Sequence, residues 1–198
     1  MKLILATQNP KKLKEMNEIL SHLGVEVVSE AELGVRIEVE ETGDTFTDNA
    51  RLKATAVMQA TGLPAVADDS GLCVDALNGG PGVYSARFGG EGLDDKGRYT
   101  LLLEMLRGQT DRTAHFHTSI VCAFPNGDEL VCEGECPGTI AFAPMGEGGF
   151  GYDPIFFVPE LRKTFGQLTA EEKASVSHRG KALRAFAAAL DDYLKGNE

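Results

Sequence analysis

Short continuous runs of hydrophobic residues alternate along the chain with segments in which hydrophobic residues recur every three or four positions. The runs are typical of buried strands and the segments of helices, and their alternation indicates an α/β protein. The run from Leu3 to Ala6 predicts a buried strand, and apolar residues then recur at helical spacing from Leu13 to Leu23. Asn9 and Pro10 favour the N-cap and the first turn of this helix. The same reasoning predicts strands at 25–28, 64–67 and 155–158, helices at 45–62 and 94–107, and a last helix near 183–194.

A hairpin and a capping box complete the predicted elements. Pro125-Asn126-Gly127-Asp128 separates two strand-like segments, 115–124 and 129–135. Thr169 and Glu172 have capping-box spacing. β-α units combined with a hairpin predict an α/β fold with a mixed sheet. Because the chain has 198 residues and no internal repeat or linker, residues 1–198 are expected to form a single domain.

Composition narrows the choice of partners and compartment. Hydrophobic residues make up 42% of the chain and charged residues 25%, as in ordinary globular proteins. A net charge of -11 repels duplex DNA and anionic membranes, so neither a nucleic-acid polymer nor a membrane is an expected partner. The first apolar run is too short for a signal peptide, and the 4 cysteines form no Cys-x-x-Cys pair. We therefore expect a cytoplasmic protein with reduced thiols.

Candidate chemistry begins at 65–71, where an apolar run leads into two carboxylates, a hydroxyl and a glycine. We expect the strand to end at Asp68 and Asp69, at the sheet edge where ligands usually bind. Paired acids there can hold a divalent metal or activate a water, although an Asp-Ser-Gly turn without function is the alternative. Glu40 and Glu41 would add carboxylates to the same metal, or else form a solvated acidic loop.

Lysines crowd the start of the first predicted helix, where the helix dipole disfavours cations. Lys11, Lys12 and Lys14 lie there, and Thr7 and Asn9 add side-chain donors. Free backbone amides together with lysines at a helix N-terminus suit phosphate binding. A solvated lysine cluster is the alternative.

A second basic set precedes and opens the last helix. Ser177 is its expected N-cap, which places His178 and Arg179 in the first turn, shortly after Lys173. Arg179 can clamp a phosphate, or His178 and Arg179 can donate to a base carbonyl, whereas a surface histidine without a role is the alternative. Lys53 falls on the inward stripe of its own helix, where a lysine usually extends its charged end to solvent.

The glycine-rich segment from Gly146 to Gly151 matches G-x-G-x-x-G literally. In a dinucleotide-binding fold these glycines follow a strand and open a helix, but here they lead into Tyr152-Asp153-Pro154 and a strand-like run. We therefore reject a dinucleotide site. A flexible loop that presents Phe150 and Tyr152 as a base-stacking wall is the preferred interpretation.

Six short blocks occur in order along the chain. They are Thr7-Gln8-Asn9-Pro10-Lys11-Lys12, Glu41-Thr42-Gly43 with Thr45-Phe46 and Asn49-Ala50, Ala67-Asp68-Asp69-Ser70-Gly71-Leu72, Pro81-Gly82-Val83-Tyr84-Ser85-Ala86-Arg87, Gly149-Phe150-Gly151-Tyr152-Asp153-Pro154 and Ser177-His178-Arg179. Together they resemble the inosine triphosphate pyrophosphatase family, in its bacterial XTP/dITP diphosphatase branch, from Lys2 to about Leu194. Gln8 and Pro10-Lys11 depart from the small residues common in that first block.

The resemblance implies hydrolysis of ITP, dITP and XTP to the monophosphate and pyrophosphate, with Mg²⁺, in a homodimer. It also implies an elongated two-lobed α/β fold, a central mixed β-sheet flanked by helices and an active site in a cleft between the lobes. Asp69 matches the catalytic base and metal-associated acid, with Glu40 or Glu41 as the other metal ligand. The implied substrate-binding positions are Thr7, Gln8, Asn9, Pro10, Lys11, Lys12, Lys53, Ser70, Phe150, Gly151, Tyr152, Asp153, Lys173, His178 and Arg179.

Two other functions compete with this one. A pyrophosphatase of the Maf type would act on pyrimidine triphosphates, although the Ser177-His178-Arg179 block argues against it. A non-catalytic nucleotide sensor would bind ITP and release no pyrophosphate. The acids at Glu40, Glu41, Asp68 and Asp69 favour an enzyme over a sensor.

Overall fold

The computed structural model describes residues 1–7 and 9–196. In this part of the chain the strands form one mixed sheet of 7 strands, in the order β2-β1-β3-β4-β5-β6-β7, and helices flank it. The strands are β1 (Lys2–Leu5), β2 (Glu26–Ser29), β3 (Ala65–Val74), β4 (Thr113–Ala123), β5 (Glu129–Ile140), β6 (Phe156–Val158) and β7 (Lys163–Thr164). The helices are α1 (Pro10–Leu20), α2 (Phe46–Thr61), α3 (Asp95–Met105), α4 (Ala170–Val176) and α5 (His178–Gly196).

Neighbouring strands run parallel at one end of this order and antiparallel at the other. β1 pairs in parallel with β2 and with β3, and the register of the second pair sets Ile4 opposite Ala65. β6 pairs antiparallel with both β5 and β7. The mixed sheet predicted from β-α units and a hairpin is thus confirmed.

The chain divides into two compact units. The first contains 1–69, 118–134 and the residues from 181 onward, and the second contains 70–117 and 135–180. In the first unit, alternate residues of β1 enter different apolar clusters: Leu3 and Leu5 pack with α1 and α5, whereas Ile4 packs with Val57 of α2. Both faces of this part of the sheet are therefore covered, as expected for parallel strands. That residues 1–198 act as one domain stays a prediction.

The second unit has a separate aromatic-rich core. Phe116, Phe156 and Phe165 are buried there together with Leu102 of α3 and Ile140 of β5. The rings of Phe116 and Phe156 meet edge to face with their centroids 4.7 Å apart. Lys173 of α4 and His178 of α5, from the second basic set, pack against rings of this core.

Local capping follows the sequence closely. The Asn9 side chain accepts from the Lys11 amide at the start of α1 (3.0 Å), with Pro10 as the first helical residue. The capping box of Thr169 and Glu172 is present at α4. Ser177 Oγ accepts from the Gly180 amide at 3.1 Å, so its predicted capping of α5 is confirmed.

The prediction that the strand after Pro64 ends at the two acids is wrong. β3 continues from Ala65 through Asp68, Asp69 and Ser70 to Val74. Buried Leu72 and Val74 extend the apolar pattern beyond the acids, and side chains of other elements satisfy the carboxylates. Tertiary contacts have therefore overridden the turn preference of Asp-Ser-Gly.

Two further features were not predicted, the short strand β7 and a buried arginine. Arg112 is 8% exposed, and its guanidinium donates to the carbonyls of Ile140 (2.6 Å), Ala141 (2.8 Å) and Leu106 (3.2 Å). Arg112 thus ties the ends of α3 and β5 together. Burial lowers its pKa from the usual range.

Within the described residues, no helix combines the length and apolar character needed to cross a membrane.

We expect Arg112→Met to lower the free energy of unfolding by about 2–4 kcal/mol, because buried carbonyls lose charged donors. Arg107→Met is the matched control, since Arg107 is exposed in the same unit, and we expect a change below about 0.5 kcal/mol. Urea unfolding of the three proteins measures both values. Equal midpoints for wild type and Arg112→Met would contradict the assignment.

Candidate active site

Lys53 is the centre of a charged cluster in the first unit. Its ammonium lies 2.8 Å from Glu41 Oε1, 2.9 Å from the Asp68 carbonyl oxygen and 3.7 Å from Asp69 Oδ1. The Lys53 side chain is only 20% exposed and its ammonium is paired, in contrast to the alternative in which a lysine extends its charged end to solvent. We call Lys12, Glu41, Lys53, Asp68 and Asp69 the acid–lysine cluster.

The two adjacent aspartates face opposite sides of the sheet. Consecutive strand residues alternate, and Val66, on the face of Asp68, packs with α1 and α5, whereas Ala67, on the face of Asp69, packs with α2. Asp68 Oδ2 accordingly accepts from Lys12 of α1 at 2.8 Å. Asp68 and Asp69 therefore do not form the paired-acid site that their adjacency suggested.

Accessibility separates the roles of these aspartates. The Asp68 side chain is 2% exposed and is neutralised by Lys12, whereas the Asp69 side chain is 13% exposed. A group that meets a metal or a water needs an open face, and a buried charge needs a partner. Asp69 fits the first description and Asp68 the second.

The structure brings one of the two candidate glutamates to the cluster. Glu41 pairs with Lys53 beside Asp69, whereas the side chain of Glu40 is exposed. Carboxylate oxygens are the ligands that Mg²⁺ prefers, usually one or two of them with water and substrate phosphates. The donor set of Glu41 and Asp69 therefore fits Mg²⁺. Within residues 1–7 and 9–196, no group of three or more His, Cys, Asp or Glu side chains is placed to hold a metal.

Backbone amides and lysine side chains lie close together at the start of α1. Thr7 Oγ1 accepts from the Asn9 amide at 3.2 Å, and Lys11 is exposed. Lys14 points along the helix toward Glu18, 3.7 Å away, so only part of the lysine set meets the cluster. Gln8, the remaining predicted phosphate-binding residue of this segment, lies outside the described residues.

The second unit holds an aromatic and basic group, which we call the aromatic cluster. The His178 imidazole stacks on Phe116 with ring centroids 4.7 Å apart and an angle of 11°. The Lys173 ammonium lies 4.8 Å from the ring centroid of Phe150 and 5.3 Å from that of Phe165. The aromatic cluster thus contains Phe116, Phe150, Phe165, Lys173 and His178.

Asp153 binds two members of the aromatic cluster. It is 3% exposed, and its Oδ2 accepts from the Phe150 amide at 2.8 Å and from Lys173 at 2.5 Å. Burial raises the pKa of Asp153, while Lys173 and the Phe150 amide act in the opposite direction. The Gly151 amide donates to Asp95 at 2.7 Å. Asp153 and Gly151 therefore hold the glycine loop in place.

Only one of the two predicted stacking rings is available. Phe150 is 76% exposed, whereas Tyr152 is 5% exposed and donates its hydroxyl to the Ser85 carbonyl at 2.7 Å. The expectation that Tyr152 forms a base-stacking wall is wrong, because its ring belongs to the core of the second unit. As predicted, Gly146 to Gly151 opens no helix.

The remaining predicted positions are half-buried. Ser70 lies on β3 directly after Asp69, and Arg179 lies in the first turn of α5. Sequence reasoning gave no role to Asn49, which is fully buried and donates to Asp69 at 3.3 Å. The sequence signal that could have identified Asn49 is its amide side chain on the inward stripe of α2, one turn before Lys53.

A mixed sheet of seven strands flanked by helices defines the described residues as an α/β protein. The Ham1 family profile matches residues 3–189. A relative from an Exiguobacterium species, named dITP/XTP pyrophosphatase, is 51% identical over 196 residues, 99% of this chain and 100% of the relative. The chain therefore belongs to the Ham1 family.

Solved structures show the same fold. A HAM1 protein from Coxiella burnetii superposes with a TM-score of 0.93 at 43% identity, over 97% of this chain and 99% of that one. A Mycobacterium abscessus structure, described as a nucleoside-triphosphatase and dITP/XTP pyrophosphatase, gives a TM-score of 0.82 at 48% identity, over 94% and 98% of the two chains. The family implied by the six sequence blocks, and the mixed sheet flanked by helices, are thus confirmed.

We expect Lys12→Met to lower the free energy of unfolding by about 1–3 kcal/mol, because the buried Asp68 carboxylate loses its cation. Lys11→Met is the matched control, since Lys11 is exposed one position earlier, and its effect should stay below about 0.5 kcal/mol. Urea unfolding at neutral pH measures both. If the two variants were equally stable, the ion pair would have no structural role.

Proposed function

We propose that this protein hydrolyses non-standard purine nucleoside triphosphates, ITP, dITP and XTP, to the nucleoside monophosphate and pyrophosphate. The observation that carries the proposal is the acid–lysine cluster, in which Lys53 contacts Glu41 and Asp69 on a chain of the Ham1 family. Relatives named dITP/XTP pyrophosphatase support the substrate class. Removal of deaminated purines from the nucleotide pool is the corresponding role.

The phosphates require positive charge and free amides. A triphosphate carries roughly four negative charges near neutral pH, since each phosphate contributes about one or two. Lys53, Lys12 and the amides at the start of α1 are the groups that would neutralise them, with Thr7, Asn9, Pro10 and Lys11 around them. Gln8 belongs to the same proposal from sequence alone.

Asp69 is the proposed base. Its partly exposed carboxylate would orient a water toward the α-phosphorus and accept the proton of that water, while pyrophosphate leaves toward the lysines. Glu41 and Asp69 would hold Mg²⁺, which supplies charge neutralisation on the phosphates when bound. Glu40 is the weaker candidate ligand, because Glu41 is the glutamate that pairs with Lys53 beside Asp69.

The aromatic cluster is the proposed site of base recognition. Phe150 offers an exposed ring for stacking, and His178 and Arg179 offer donors to the carbonyl at position 6 of hypoxanthine or xanthine. Adenine carries an amino donor at that position, so a donor of the protein would lose its partner with ATP. Ser70, Gly151, Tyr152, Asp153 and Lys173 complete the proposed substrate set, in which the buried Tyr152 and Asp153 would act by holding the loop and Lys173.

We expect wild-type protein with Mg²⁺ to release pyrophosphate and monophosphate from ITP and XTP, but not from ATP or GTP. Asp69→Asn should reduce kcat for ITP by at least about a hundredfold, because an amide cannot take the proton. It should still fold, since an amide oxygen can accept from Asn49. Anion-exchange chromatography of the nucleotide and phosphate products measures both results.

Asp75→Asn is the control for this experiment, because Asp75 is an exposed aspartate just beyond β3. Its rate should equal that of wild type. Orthophosphate with ITP as substrate would mean attack at the γ-phosphorus and would refute the proposed reaction. Turnover of pyrimidine triphosphates alone would favour the Maf type, and ITP binding without turnover would favour a sensor.

We expect His178→Phe to narrow the preference for ITP over ATP about ten- to a hundredfold in kcat/KM. Phenylalanine retains the stack on Phe116 and removes the ring nitrogens, so packing and hydrogen bonding are separated. Competition between ITP and ATP in one reaction measures the ratio directly. His22→Phe, at an exposed histidine, is the control, and an unchanged ratio in His178→Phe would move base readout elsewhere.

The Mg²⁺ requirement, a homodimeric state and a cytoplasmic location belong to the same proposal, together with the absence of any nucleic-acid polymer or membrane partner. The family resemblance supports the first two, the cysteine pattern supports the third, and the net charge of -11 supports the last. Full activity in the presence of a chelator would contradict the Mg²⁺ requirement. A mass equal to that of the monomer in analytical sedimentation would contradict the homodimer.

A further inference from the structure

Asn49 joins two segments of the first unit that carry the proposed metal ligands. Its Oδ1 accepts from the Gly43 amide at 2.8 Å, and its Nδ2 donates to Asp69 Oδ2 at 3.3 Å. An amide side chain can do both at once, and the two partners fix which end is oxygen. We propose that Asn49 is a positioning residue, which sets the distance between the Asp69 carboxylate and the segment that carries Glu41. This inference rests on the proposed function.

Burial makes the two bonds of Asn49 obligatory. The residue is 0% exposed, so a polar group left without a partner there has no water to replace it. Asn49 and Lys53 lie one turn apart on α2, and both reach Asp69. Asp69 therefore receives a neutral donor at one oxygen and a cation near the other, which fixes the plane of its carboxylate.

Gly43 supplies independent support for the inference. A β-carbon at this position would lie 2.7 Å from Asp48 Cβ and 2.8 Å from Asn49 Oδ1, closer than such atoms approach in proteins. The segment after Glu41 thus comes so near to α2 that only glycine fits while its amide donates to Asn49. Thr45 caps α2 just beyond, with its Oγ1 accepting from the Asp48 amide at 3.1 Å. Two side-chain contacts therefore hold this turn against the helix.

The consequence for the reaction is geometric. Glu41 is two residues before Gly43, and its carboxylate meets Lys53 at 2.8 Å. If Asn49 did not hold Gly43, the distance between Glu41 and Asp69 would vary, although both acids would remain present. Removing a residue that holds a metal ligand commonly lowers metal affinity or activity about ten- to a hundredfold.

The test replaces Asn49 by Leu, which keeps the volume and removes both bonds. We expect kcat for ITP to fall about ten- to a hundredfold, with KM for ITP changed by less than about threefold. Mn²⁺ binding without nucleotide, followed by the electron paramagnetic resonance of free Mn²⁺, should weaken about tenfold. Exchange of the Gly43 amide with deuterium, followed by NMR, should accelerate at least about tenfold.

Gly43→Ala breaks the same contact from the other side and should also weaken Mn²⁺ binding. Asn49→Asp is a third variant of nearly unchanged shape. It retains the acceptor for the Gly43 amide but sets a carboxylate against Asp69, so Gly43 should stay protected while kcat falls. It keeps the inference testable if Asn49→Leu does not fold.

Asn17→Leu is the matched control in the same unit. Asn17 also bridges a helix and a strand with both ends of its amide, donating to the Val27 carbonyl at 3.0 Å and accepting from the Val27 amide at 3.3 Å. Its kcat and Mn²⁺ affinity should stay within about threefold of wild type.

Three outcomes would overturn the inference. One is a folded Asn49→Leu protein with wild-type kcat and Mn²⁺ affinity, and another is equal loss in Asn17→Leu, which would indicate general destabilisation. The third is wild-type Gly43 exchange in Asn49→Leu. A wild-type protein that releases no pyrophosphate would refute the proposed function instead, while Mn²⁺ binding and Gly43 exchange would still decide the role of Asn49.

Discussion

The ammonium of Lys53 is the interaction on which the first unit's charged cluster depends. Several oxygen groups, from Glu41, from the backbone of Asp68 and from Asp69, converge on it. Carboxylates gathered in a half-buried place would repel one another without a cation, and a cation there would be costly without carboxylates. Lys53 thus allows two acids to stand near each other before any metal or phosphate arrives. The same charge then suits the anionic substrate of the proposed reaction.

Elements whose signal is local were predictable from sequence. Asn9 with Pro10, and Thr169 with Glu172, specify helix starts through residues only one to three positions apart. The turn at Asn126-Gly127 similarly indicated the hairpin of β4 and β5. Family blocks added the order of the site residues and the fold, because the match extends along nearly the whole chain.

Features that depend on distant partners could not be predicted in this way. β3 passes through Asp68 and Asp69, whose carboxylates are satisfied by Lys12 and Asn49 from two different helices. Tyr152 can be buried because its hydroxyl donates a hydrogen bond to the carbonyl of Ser85, which is far away in sequence. No periodicity within a short window contains this information. The choice between Glu40 and Glu41 likewise needed the position of Lys53 on α2.

The opposite orientation of Asp68 and Asp69 makes the function of each depend on strand register. β3 is fixed against β1 by the pairing of Ile4 with Ala65 and of Leu5 with Val66. A slip by one residue would exchange the two faces of the strand and turn Asp68 toward α2. The spacing between that pairing and the acids is therefore as essential as the acids themselves. A substitution in β3 leaves that spacing unchanged, whereas an insertion or a deletion there would exchange the positions of Asp68 and of Asp69, the proposed base.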